Sequence, residues 1–136
     1  RLQDFIREHH GTQVTRYQYS RALEQQKDDP SKVDAELFRY PGPQPRSKET
    51  GILMLADISE ARARSAPPKN DEELRNLLKS IFDFIHKEGS LSDTNLTLKD
   101  LSMIQESFHK TLKNTYHPRI QYPEDRTSAL NKQKLL

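Results

Sequence analysis

RYPGPQPRSKETGILMLADISEARAR, residues 39–64, is the stretch whose reading decides the fold. Pro41, Pro43 and Pro45 each fix φ and push the preceding residue towards extended geometry, so helix is excluded up to about Ser47. Ser47 is a suitable N-cap, and Glu49 in the first turn favours the positive end of the helix dipole. Ile52-Leu53-Met54-Leu55-Ala56 is apolar on every face of a helix, which predicts the most buried segment of the molecule. Asp57 follows directly. An ionised carboxylate on such a helix is costly unless it is paired, hydrogen-bonded or bound to a metal. It is therefore either a structural acid, paired with Arg62, Arg64 or a loop arginine, or a metal ligand or general base.

The 136 residues suit one domain, and an apolar content of 32% beside 31% charged residues predicts a thin core. The chain has no cysteine, so any metal must be held by His, Asp or Glu. A net charge of +2 with acids and bases interspersed argues against binding a nucleic-acid duplex through a broad cationic face. No membrane-spanning run, signal peptide or lipidation motif is visible. The opening Arg1-Leu2-Gln3-Asp4-Phe5-Ile6 reads as mid-helix, which suggests a fragment.

Outward from residues 39–64, Leu2, Phe5 and Ile6 mark the end of an amphipathic helix that stops at Gly11, and it carries His9 and His10. Neighbouring helical side chains point about 100° apart, so the two imidazoles can share one ion only where the helix unwinds. They could otherwise serve two ions, or simply favour the helix dipole. Residues 15–26 predict a helix bearing Tyr17 and Tyr19. Residues 27–46 predict a long irregular connection from which Val33, Leu37 and Phe38 dip into the core. Asn70, with Glu73 three residues on, opens a helix whose Leu74, Leu77, Leu78, Ile81, Phe82 and Ile85 share one face. Gly89 ends it. Thr97 and Asp100 open another, carrying Leu98, Leu101, Ile104, Phe108, Leu112 and Tyr116 and ended by His117-Pro118. His86 and His109 read as surface histidines. The tail beyond Glu124 has too little apolar content to fold alone. No stretch alternates with period two, so the expected class is all-α.

Several segments together resemble one family. IREHHGT at residues 6–12, FRYPGPQPRSKETGILMLAD at 38–57, LTLKDL at 96–101 and YHPRIQYPE at 116–124 are similar to the C-terminal half of the HD domain of bacterial membrane-anchored seven-transmembrane HD phosphohydrolases, of the cyclic di-AMP phosphodiesterase type. The resemblance spans residues 2–124 and leaves 125–136 as a flexible tail. It implies an all-helical HD-domain-like bundle, incomplete on its N-terminal side. It also implies a parent enzyme at the cytoplasmic face of the inner membrane that holds two divalent ions, Mn or Fe, and hydrolyses a cyclic dinucleotide.

By the same resemblance, His9, His10 and Asp57 are metal ligands, with Asp57 central to catalysis, and Arg64 falls where the family tends to keep an arginine. The family's remaining ligands, including its His-Asp pair, have no counterpart in this sequence. Ile58-Ser59 reverses the small-polar-then-aliphatic order usual after that aspartate. Imidazoles and a carboxylate suit Mn or Fe, and two such ions can bind phosphodiester oxygens and activate water. Arg46, Lys48 and Arg64 are candidate phosphate cations, and Tyr17 or Tyr19 a candidate stacking partner for adenine. With three ligand side chains, the fragment alone is expected to be inactive, to bind metal weakly or not at all, and to self-associate through its exposed core. The alternatives are a non-catalytic helical interaction module and a phosphohydrolase of another nucleotide.

Overall fold

The computed structural model describes residues 1–116. Among these residues there are five α-helices and no strand: α1 Leu2–Glu8, α2 Arg16–Gln25, α3 Lys48–Ser65, α4 Asp71–Lys87 and α5 Leu98–Tyr116. The predicted end of the last helix at His117-Pro118 and the tail lie outside the described residues.

α3 begins where the prolines release the chain. Ser47 Oγ accepts the Thr50 N–H at 3.2 Å and Thr50 Oγ1 accepts the Ser47 N–H at 3.3 Å, a reciprocal cap that satisfies two otherwise orphaned donors. Asn70 caps α4 by accepting the Glu73 N–H at 2.8 Å. The Glu73 carboxylate reaches back to the Lys69 N–H rather than to that of the cap itself. Thr97 and Asp100 exchange the same kind of pair at the start of α5. Gly89, at φ +76°, turns the chain out of α4.

α4 is the hub, packed between α3 and α5. Met54 and Leu55 from α3, Ile81, Phe82 and Ile85 from α4, Leu91 from the following turn and Leu101 from α5 form one core. Each such side chain contributes about 1.5–3 kcal/mol over an exposed one. Gly51 lets the turn after α4 close onto α3, since a Cβ there would lie 2.9 Å from Thr94 Cγ2. Three apolar residues expected in the core are exposed instead: Leu53, because α3 has one uncovered face; Leu98, in the first turn of α5; and Leu37, in a short 3₁₀ turn, Ala35–Phe38.

The connection from 27 to 46 is more ordered than expected. It holds two 3₁₀ turns, and Val14 pairs with Arg39 in an isolated antiparallel bridge flanked by Tyr40 N–H to Gln13 C=O at 2.9 Å. That pairing fixes Tyr40 beside the His9-His10 segment. Among the described residues no helix is long and apolar enough to cross a membrane.

Candidate metal centre

α1 ends at Glu8; His9, its C-cap, keeps helical dihedrals and donates its N–H to the Phe5 carbonyl at 3.3 Å, and just beyond His10 the chain turns at Gly11, φ +51°. A Cβ at Gly11 would lie 2.7 Å from Met54 Cε, which is why the turn can settle so closely on α3. The anchor is Glu8, 2% exposed. Its carboxylate accepts the Arg46 N–H at 3.0 Å, the Arg46 Nε–H at 2.8 Å and the Thr50 hydroxyl at 2.8 Å. Burial pushes the Glu8 carboxyl up, but these donors and the Arg46 charge outweigh it and hold it below its ordinary value. One buried acid thus ties the end of α1 to the start of α3.

This brings one ligand atom from each of His9, His10 and Asp57 within 4.8 Å of one another. Donors on a single ion with bonds of about 2.1 Å lie within about 4.2 Å of each other, so small side-chain rotations suffice to close on a cation. His9 Nδ1 lies 2.8 Å from the Phe5 carbonyl, which only accepts; Nδ1 therefore carries a proton, and in the neutral ring the lone pair is on Nε2. His10 Nδ1 stands 3.6 Å from Asp57 Oδ2, beyond hydrogen-bond range. Burial and the neighbouring His9 lower the His10 pKa against the pull of Asp57, which favours the neutral, ligating imidazole. Tyr40 stacks on His10 with ring centroids 4.3 Å apart.

Asp57 is less confined than its apolar helix suggested, its side chain being 45% exposed. Among the described residues it forms no ion pair with Arg62 or Arg64; its nearest titratable partner is the His10 ring. The three groups face a recess of about 280 Å³ whose wall also includes Tyr40, Arg16 and Arg62. A second recess, about 330 Å³, opens between Asn70, Lys113 and Tyr116 and carries no comparable cluster.

The five expected substrate contacts do not line the first recess. Arg46 is engaged by Glu8, Lys48 by Asp100 at 3.2 Å, and Arg64 by Glu60 at 3.6 Å. Tyr17 is exposed with Arg21 over its ring, and Tyr19 packs on Phe38. The residues that do reach the recess, Tyr40, Arg16 and Arg62, carried weak signals: an aromatic just before the first proline, and arginines a few residues beyond HHGT and beyond Asp57. His109 departs from the expected surface position. It is 4% exposed rather than on the surface, with Nε2 2.8 Å from Asp71 Oδ1.

No family model matches the chain. It is 38% identical over 123 residues, 90% of its length and 17% of the relative's, to the cyclic-di-AMP phosphodiesterase PgpH of Bacillus subtilis. It is 31% identical, again over 90% of its length, to that of Listeria monocytogenes. The chain therefore spans less than a fifth of these curated relatives. The crystal structure of the L. monocytogenes PgpH HD domain in complex with cyclic-di-AMP superposes with a TM-score of 0.73 at 30% identity, over 88% of this chain and 54% of that one. The resemblance to an HD domain of the cyclic di-AMP phosphodiesterase type, and the all-α class with it, are borne out.

Proposed function

We propose that this chain, homologous over most of its length to the PgpH HD domain, is part of a metal-dependent phosphodiesterase domain, and that the full-length protein hydrolyses cyclic di-AMP. The observation that carries this reading is the convergence of His9, His10 and Asp57 from two separate segments, with donor atoms within 4.8 Å, in a chain so related.

Each residue has a task. The Phe5 carbonyl holds the His9 proton on Nδ1 and leaves Nε2 as donor. Tyr40 and burial keep the His10 ring oriented and neutral. Asp57, open to solvent on one side, would offer its carboxylate oxygens to the ions. Divalent ions, Mn or Fe, would supply Lewis-acid charge to the phosphodiester and acidify a water molecule. Glu8 takes no part in ligation; it fixes the histidine turn against α3.

Three side chains fall short of the five or six donors that each such ion takes, so ligands from the rest of the protein complete the centre. By itself the chain, residues 1–124 as HD-type domain and the remainder as tail, is inactive and binds metal weakly. It self-associates through exposed apolar side chains such as Leu2, Ile6 and Leu53. The family resemblance read in the sequence also implies a parent anchored at the inner membrane with this domain on its cytoplasmic side.

The test compares Mn-loaded full-length protein with this chain alone. Full-length protein should convert cyclic di-AMP to the linear dinucleotide, while the chain alone shows no turnover and elutes larger than a monomer. A full-length protein that cleaves no cyclic dinucleotide, or an isolated monomeric chain that binds two Mn tightly and does cleave one, would overturn the reading.

A further inference from the structure

Arg16 and Arg62 line the recess that holds His9, His10 and Asp57. Arg62 continues the α3 strip formed by Asp57, Ile58 and Ala61 and stands about 7.5 Å along the helix axis from Asp57, at about 1.5 Å per residue. Arg16 opens α2 and lines the same recess, its guanidinium 5.6 Å from the Phe84 ring centroid, a contact that holds the head in place without neutralising it. Among the described residues neither arginine has a carboxylate within ion-pair range, whereas Arg39, Arg46, Arg64 and Arg75 each have one. Burial, and then repulsion from Arg16, pull the Arg62 pKa below its ordinary value. Two cations held together beside an open recess are unfavourable unless an anion enters between them. A guanidinium engages phosphate with two parallel N–H donors.

We propose that Arg16 and Arg62 form the subsite for a second phosphate of the substrate, the one that is not cleaved. The assignment rests on the phosphodiesterase reading above. A cyclic dinucleotide carries two phosphodiesters in one ring. With one at the His9, His10 and Asp57 centre, the other needs a cationic partner further along the recess, and Ile58 and Ala61 give the sugar an apolar floor between them. The pair thus selects substrates with two phosphates over simple diesters.

The experiment uses the full-length Mn-loaded protein and two substrates, cyclic di-AMP and bis(p-nitrophenyl) phosphate, which has one phosphate. Arg62→Gln and Arg16→Gln should each raise KM for cyclic di-AMP by roughly tenfold or more with a much smaller change in kcat, the size expected for one lost charge-assisted pair. The loss in kcat/KM should be roughly tenfold greater on the dinucleotide than on the simple diester. Arg62→Lys should recover part of the loss, and helical circular dichroism checks that each variant folds. Equal losses on both substrates would put the arginines at the reacting phosphate and overturn the proposal. So would unchanged KM values in both glutamine variants. A wild-type protein that hydrolyses neither substrate would instead overturn the phosphodiesterase reading.

Discussion

Glu8 and Arg46 are joined twice, the carboxylate accepting both the backbone N–H at 3.0 Å and the guanidinium Nε–H at 2.8 Å. The backbone half of this pair matters more for the site, because it locks the residue before the α3 cap to the residue before the two histidines. Arg46 is itself 60% exposed and can return to water, whereas Glu8 cannot. Glu8→Ala therefore leaves the part-buried Arg46 N–H without its acceptor, while the Thr50 hydroxyl keeps the Ser47 carbonyl at 3.2 Å, and should cost about 1–3 kcal/mol. Chemical denaturation would measure this, and metal retention should fall with it. Arg46→Ala should keep the metal better than Glu8→Ala does, because the backbone and Thr50 bonds survive.

Gly11 occupies a left-handed conformation against Met54. Gly11→Ala meets both the φ penalty and the Met54 methyl at 2.7 Å. It should lower stability by about 1–2 kcal/mol. Because the strain falls next to His10, bound metal should drop more than global stability does. Metal content beside urea midpoints checks this, and a loss of stability with full metal content would contradict it.

Asp71 gives the fold an acid limit. Burial raises its pKa, but Lys113, His109 and Arg75 prevail and bring it from 3.8 to about 2. A group depressed in the folded state adds stability above its unfolded pKa and loses it as pH falls through the folded one. The window here runs from about pH 4 down to about pH 2. Asp71→Asn should be less stable than wild type at neutral pH and should lose less further stability across that window, as denaturation at several pH values would show.

The histidines separate along the same lines. His86, exposed on α4, should tolerate alanine in both stability and activity. His109→Ala should lower the melting temperature, because it empties a buried site and removes a partner of Asp71. It should leave metal content intact. His9→Ala and His10→Ala should do the reverse, removing metal and activity with little loss of helix.

Local chemistry explains what could be read from the chain. Ser47, Asn70 and Gly89 punctuate helices through their own side chains or backbone freedom, and the stripe from Leu74 to Ile85 has a single periodic solution. His9, His10 and Asp57 stood out as polar groups at the edges of apolar runs. What stayed hidden depends on distant partners. Glu8 looks like a surface acid until Arg46 and Thr50 close over it. His109 sits beside Phe108 on a polar shoulder and is buried only because the start of α4 packs there. Arg62 could be weighed only as a neighbour for Asp57, since nothing local reveals that Arg16 lines the same recess.

The most direct measurement is the metal content and cyclic di-AMP turnover of the full-length protein carrying Asp57→Ala, with circular dichroism alongside. The account predicts that bound Mn or Fe falls, hydrolysis is lost and the helical signal is retained, because the proposed role of the Asp57 carboxylate is to hold ions and its side chain is 45% exposed. An Ala variant with full metal content and normal turnover would contradict it.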